Sequence, residues 1–374
     1  MTETPQTGPQ YSDLARIAMD RATSAREAVE IVASLIDEYG FSTYGGNSHF
    51  FADAQEGWVM KQMAGSQGLW VAERVGCDDV RLSYPGYILE IPDNYQEHPD
   101  YMGSDNLISF AVEQGWYDPD AGEPFNVNAV YGNGQGRQQP LFRLDGPTIA
   151  DFEERVREMA PVTLEGMQAL VRTPALSGDS TGCDQVAHLR PDFPRDLGVL
   201  WVAPTSSVTT PFVPYYIGSN EVPPEFGWHR YMHKDAATVF LTEDYQHQEA
   251  SEFATRTFKR LLYYTCARPE EFLHDVQATL AGFEAQTADA MVGLEPSVQH
   301  LLDAGEEDLA RRLLTDFSVT PARESLQLGN ALVDGLEART RYQYGFESPE
   351  GDAWGRLDYT MIMCIPPDGP GLFD

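Results

Sequence analysis

Hydrophobic positions along the chain change period several times, and each change marks an element. Leu14, Ile17, Ala18 and Ala22 recur at helical spacing, which predicts a first helix. Ser24 then opens Ser-Ala-Arg-Glu, a capping box in which the hydroxyl and the Glu27 carboxylate satisfy the first free amides. Ala28, Ile31, Val32 and Leu35 form the apolar stripe of a second helix, and Gly40 supplies its left-handed stop. After Gly45-Gly46 the period falls to two. Residues 48–51, 58–63, 69–75 and 80–90 read as strands, and the short turns between them call for an antiparallel meander.

Ser104 is placed to cap a helix running to about Gly115, followed by a loop rich in Gly, Asp and Asn. Helices are predicted over 148–159 and 164–171, and strands over 185–189, 198–203 and 210–217. From Asp235 to about Tyr342 the pattern is almost wholly helical, with amphipathic segments at 252–264, 269–285 and 322–341. Alternating helical and sheet sections imply an α+β layered body with a helical C-terminal section, one body over 11–344 between a mobile tail (1–10) and a C-terminal extension (345–374).

Charge narrows the classes. The 374 residues carry 58 acidic and 25 basic side chains, a net charge of −33. Lysine is scarce: Lys61, Lys234 and Lys259 account for three of the 25 cations, leaving 25 − 3 = 22 arginines. Such a surface repels phosphate backbones and anionic headgroups, so neither nucleic acid nor membrane is an expected partner. Apolar residues at 42% and aromatics at 11% call for a folded core. No run reaches the ~18 apolar residues of a membrane span. The N-terminal residues lack the basic start and apolar stretch of a signal peptide, so a cytoplasmic protein is expected. Cys77, Cys183, Cys266 and Cys364 are widely spaced, without a C-x-x-C pair, and reduced thiols are expected.

Several segments, in order, resemble the dipeptidase and secernin family of cysteine peptidases, within the N-terminal-nucleophile hydrolase superfamily. They include Arg21-Ala-Thr-Ser-Ala-Arg-Glu-Ala-Val-Glu30, Gly46-Asn-Ser-His-Phe-Phe-Ala-Asp53, Gly68-Leu-Trp-Val-Ala-Glu-Arg-Val75 and Asn106-Leu-Ile-Ser-Phe-Ala111 with Gly115-Trp-Tyr-Asp-Pro119. Further along are His188-Leu-Arg-Pro-Asp-Phe-Pro194, Gly198-Val-Leu-Trp-Val-Ala203, Pro211-Phe-Val-Pro-Tyr-Tyr216 and Leu314-Thr-Asp-Phe-Ser318. The resemblance implies an αββα sandwich of two antiparallel sheets between helical layers. It also implies amide hydrolysis by an N-terminal cysteine whose own α-amine is the base. In the family that cysteine opens a section upstream of the first helix found here. The first cysteine of this chain is Cys77, so the nucleophile is expected to be absent and the sandwich incomplete. The family's Trp-Val-Leu-Glu strand stands here as Trp58-Val-Met-Lys61, and Tyr84 occupies the place of a superfamily oxyanion-hole Asn.

Candidate chemistry follows from these departures. Lys61, Tyr84 and Cys183 are the candidate catalytic replacements; Asn47 and Arg74 are candidate substrate contacts, with Lys61 and Arg74 also a possible seat for a carboxylate ligand. Thr2 lies in a tail without strand pattern and is not expected to act as a nucleophile. Glu225, His229 and His233 share a four-residue spacing, but Pro223, Pro224 and Gly227 argue against a helical metal face, and no metal or cofactor is expected. Gly132-Asn-Gly-Gln-Gly-Arg137 lacks the Lys-Ser/Thr ending of a phosphate loop and reads as a surface turn. The expectation is a dipeptidase-like scaffold without its own nucleophile, complemented by a second protein chain or by a homodimer across the gap, or else a non-catalytic partner. The alternative is an active amide hydrolase or acyl-transfer enzyme using the recruited residues on a small peptide-like substrate.

Overall fold

The computed structural model describes residues 7–65, 67–82, 88–140, 148–173, 176–227, 252–345 and 364. They belong to two compact units divided between Pro161 and Val162. The fold is mixed α+β, with one antiparallel sheet in each unit and a helical C-terminal part.

In the first unit, α1 (Tyr11–Arg21) and α2 (Ala25–Tyr39) precede a meander of β1 (Phe41–Ala52), β2 (Gly57–Gly65), β3 (Trp70–Val75) and β4 (Tyr101–Gly103), in that spatial order. Short helices α3 (Leu107–Glu113), α4 (Val127–Tyr131) and α5 (Ile149–Glu158) follow. Successive strand residues point to opposite faces, so the sheet builds two cores. Trp58, Met60, Trp70 and Ala72 pack with Leu14, Ala18, Val29, Val32 and Ile36 of the first two helices. Val59, Met63 and Val71 pack the other way, with Ile88, Ile91, Leu107, Phe125 and Val127.

Local chemistry refines the expected elements. Ser24 Oγ accepts from the Glu27 amide at 3.1 Å, as a cap should. The Glu27 carboxylate, however, takes the amide and hydroxyl of Thr23 at 2.7 and 2.6 Å instead of returning to Ser24. The buried stripe of α2 is Ala25, Ala28, Val29, Val32, Ala33 and Ile36, leaving Ile31 and Leu35 at its margin. Gly40 has φ +82° with an extended ψ, so it reverses the chain without the left-handed helical cap.

The predicted fourth strand is corrected. Among the described residues of 80–90 no strand forms, apart from an isolated bridge between Glu90 and Asn126. The fourth position belongs to β4, three residues long. Ser104 is also corrected: Asn106 is the residue before α3, while Ser104 Oγ is buried and accepts from the Trp70 amide at 3.2 Å.

The second unit holds α6 (Leu164–Val171), the sheet β5 (Asp184–His188), β6 (Val199–Ala203) and β7 (Val213–Tyr216), then α7 (Ala254–Ala267), α8 (Pro269–Asp303) and α9 (Glu307–Tyr344). Val186, Val199, Trp201 and Tyr216 bury one sheet face against Val298, Ala310 and Leu314 of the long helices. Both helices run through an interior proline, Pro296 and Pro321, and both exceed the predicted segments. Gly329 lets α9 approach α7 closely, since a Cβ there would lie 2.7 Å from the Phe258 ring.

The connection from β6 to β7 is lined by hydroxyls. Thr205, Ser206, Ser207, Thr209 and Thr210 are all fully buried, and Thr205 has φ +105°. Asp184 is the hub, accepting from Ser177 Oγ at 2.5 Å and the Ser207 amide at 2.7 Å. Burial pushes its carboxyl pKa up, against the pull of those hydrogen bonds and of Arg172.

The expectation of reduced thiols is overturned for one pair: Cys266 and Cys364 form a disulfide that packs beside Val208, Leu262 and Leu273. Cys77 and Cys183 are free and exposed.

Three outcomes are expected. Ser24→Ala removes the α2 cap and lowers unfolding stability by about 1 kcal/mol, read from the urea midpoint at constant slope. Thiol titration of the unfolded, unreduced chain gives two free thiols, Cys77 and Cys183. Cys266→Ser costs about 2–4 kcal/mol, and four titratable thiols would contradict the pairing.

Candidate functional site

Register assigns each candidate of the first unit to a face. Lys61 on β2 pairs with Ser48 on one side and Val71 on the other, so these three project together with Val59 and Met63. Glu73 pairs with Val59 and shares that face, one strand away from Lys61. Trp58 pairs with Arg74, and Gln62 with Asn47, which puts Arg74 and Asn47 on the opposite, helix-covered face. Lys61 and Arg74 are therefore separated by the sheet itself and do not form one carboxylate seat. Asn47 and Arg74 share a face but stand at β2 positions four residues apart, about 13 Å along the strand.

Arg74 is committed to Asp100, its Nε donating to Oδ1 at 2.6 Å. Asn47 Nδ2 donates to the Ser48 carbonyl at 3.1 Å. Glu73 is held by Arg81 at 2.7 Å, both side chains largely buried. Lys61 is left half-buried with no hydrogen bond or ion pair to any described residue. Desolvation pushes its pKa down to about 8. At neutral pH it is a cation without a counter-ion among the described residues, yet close enough to its titration point to exchange a proton.

Polar groups that no local motif announces lie around the sheet. Glu153 is buried, and its Oε1 accepts from the Leu82 amide at 3.0 Å. Arg137 and Arg157 approach its other oxygen at 3.6 and 3.7 Å. Leu82 and Arg137 are brought to it by folding, while Arg157 lies one helical turn along the same helix. Gln62 is fully buried with neither amide atom hydrogen-bonded. His49, beside it on the helix-covered face, meets the Tyr11 carbonyl through Nε2 at 2.9 Å, and burial lowers its pKa.

The 132–137 turn is clasped by Asn128, whose Oδ1 accepts from the Gly136 amide at 2.7 Å, and a short 3-10 turn follows. Cys183 belongs to the second unit, immediately before β5, where Gln185 Nε2 lies 3.2 Å from its sulfur. Tyr84, His229, His233 and Thr2 lie outside the described residues. Glu225 sits in a 3-10 turn with Arg323 at 3.8 Å. Among the described residues no group of three or more His, Cys, Asp or Glu is arranged to hold a metal ion. No described helix is long and apolar enough to cross a membrane.

The comparisons with known proteins fall on this same unit. Residues 3–140 match the model of peptidase family C69. The first unit is thus similar to peptidase family C69 over most of its length. A protein of Salmonella dublin described as a probable dipeptidase is 30% identical over 127 residues, which is 34% of this chain. The aligned part spans 28% of that relative's length. The matched stretch contains the meander, Lys61 and the Glu73–Arg81 pair.

The lysine yields a signed prediction. Its folded pKa lies below the unfolded value of 10.5, so charging it opposes folding: the penalty is full below about pH 8 and vanishes above the unfolded value. Lys61→Met is expected to stabilise the protein by about 1–3 kcal/mol at pH 7 after discounting for partial solvation. The gain shrinks toward zero as the pH passes 10. Urea unfolding of both proteins between pH 6 and 10 checks the sign and the slope.

Proposed function

We propose that this chain is a dipeptidase-type scaffold for hydrolysis of peptide or amide bonds, that another polypeptide brings the attacking nucleophile along the outer edge of β1, and that Lys61 receives a carboxylate of a small peptide-like substrate. The observation that carries the reading is Lys61 itself. A half-buried ammonium costs free energy unless something pairs it, and the substrate class of a dipeptidase supplies a terminal carboxylate. The C69 likeness supports the reaction class.

The edge supports the rest. β1 is the outermost strand of its sheet, and at its start the Ser42 amide donates to the Pro9 carbonyl. An open strand edge is a template for a further strand. In the described part of the first unit the one cysteine is Cys77, exposed in the turn after β3 with the Asp78 carboxylate 3.8 Å from its sulfur.

A second reading keeps catalysis within the chain, with Lys61, Tyr84 or Cys183 recruited for amide hydrolysis or acyl transfer; the titration of Lys61 near neutrality favours it. One experiment separates the two. The full chain is purified at native abundance, its mass measured under native conditions, and dipeptide turnover assayed alongside hydrogen exchange. Complementation gives a stoichiometric second polypeptide, slowed exchange at β1 amides in the assembly, and turnover that Lys61→Ala lowers mainly through KM. A monomer at micromolar concentration overturns it; turnover by that monomer establishes the second reading, and inertness toward a broad dipeptide panel removes both.

A further inference from the structure

Trp116 is an anomaly on the surface of the first unit. It is 54% exposed, a rare condition for the largest apolar side chain, and Val112, four residues earlier, is 40% exposed. Its mounting is firm. Gly115 takes φ +71° to end α3, its amide donating to the Val112 carbonyl, and the Trp116 amide donates to the Ala111 carbonyl at 2.9 Å. Two rings then hold the indole edge-to-face, Phe110 at 5.8 Å and Tyr131 at 6.0 Å between centroids. The loop that follows is fixed as well: Tyr117 Oη donates to the Glu123 carbonyl at 2.8 Å, and its ring packs against Phe125 at 4.9 Å.

On either side of this residue in sequence the chain carries Glu113, Asp118, Asp120 and Glu123. All four are exposed, and none forms an ion pair among the described residues. Elsewhere the structure pairs its aromatics with its own arginines: Arg26 lies over Trp58, Arg190 over Phe193 and Arg268 over Tyr344. Trp116 has the aromatic face and the negative surroundings of such a site, with no described arginine over it.

We propose that Trp116 and its flanking carboxylates form a docking surface for an arginine side chain presented by a partner polypeptide. The guanidinium plane stacks on the indole face while the carboxylates receive its N–H groups; a lysine ammonium gains the charge attraction but not the stacking. Exposed, rigidly held tryptophans are also the residues most enriched among energetic anchors of protein interfaces. This surface is independent of Lys61 and of the reaction proposed above.

The test uses the full chain and a fluorescein-labelled Arg-Gly-Arg-Gly-Arg peptide, with Lys-Gly-Lys-Gly-Lys as comparator, followed by anisotropy at low and moderate salt. The arginine peptide is expected to bind more tightly than the lysine peptide. Trp116→Ala should weaken it about fivefold and abolish the difference between the two peptides. Trp116→Phe should retain part of the preference. Glu113→Gln with Glu123→Gln should weaken both peptides and flatten the salt dependence. Equal binding of the two peptides, or arginine affinity unchanged in Trp116→Ala, overturns the proposal by reducing the effect to general attraction to an acidic protein. If Trp116→Ala does not fold, unchanged affinity in Trp116→Phe and in the double Gln variant overturns it equally. Self-association that Trp116→Ala abolishes also overturns it, by assigning the surface to a second copy.

Discussion

The first unit depends on β2 being buried on both faces. Trp58 and Met60 are completely enclosed on the helix side, and Val59 is completely enclosed on the other. A strand in that position cannot slip by one residue, because a slip exchanges the contents of two filled cores. Its neighbours inherit this fixity: β1 and β3 are held in antiparallel register along most of its length. Lys61 is thereby placed in an interior-facing position with no local freedom to choose the solvent side. Its depressed pKa is a direct consequence of strand parity, since the residues before and after it point into the opposite core.

Much of this unit was legible from the chain alone. Where a segment carries both periodic burial and its own terminator, as α2 does with Ser24 and Gly40, sequence and structure agree to within a residue or two. The same holds for β2, β3, α5 and α6. The margins shifted for physical reasons. The α2 stripe rotated because the sheet offers Ala25, Ala33 and Ile36 a better-filled seat than Ile31 and Leu35. β4 escaped notice because three residues carry no period; it forms because Val71, Ala72 and Glu73 present an edge that Tyr101–Gly103 can join. Pro296 and Pro321 hid the length of α8 and α9, since a proline ordinarily ends a helix, and here tertiary packing along Val298, Leu314 and Leu326 carries the helix past it.

The candidate site was legible in composition and not in arrangement. Lys61 stood out because lysine is so rare in this chain. That Arg74 and Lys61 face opposite ways follows from register, and register was not available until the pairing of β2 with β3 was known. The Glu73–Arg81 and Glu153–Arg137 pairs join residues whose spacing in sequence carries no periodic signal. The bond between Cys266 and Cys364 spans a sequence separation of 98 and could not be read from spacing at all.

The passage between β6 and β7 is an interior made of oxygen instead of hydrocarbon. The Ser177 hydroxyl and the Ser207 amide that meet the Asp184 carboxylate are directional bonds, and a small shift of the loop leaves a buried carboxylate unpaired. The second sheet is consequently keyed as well as packed: the bond from Ser207 ties the loop after β6 to the first residue of β5, and the loop acts as a detent that loosens only when that carboxylate is released.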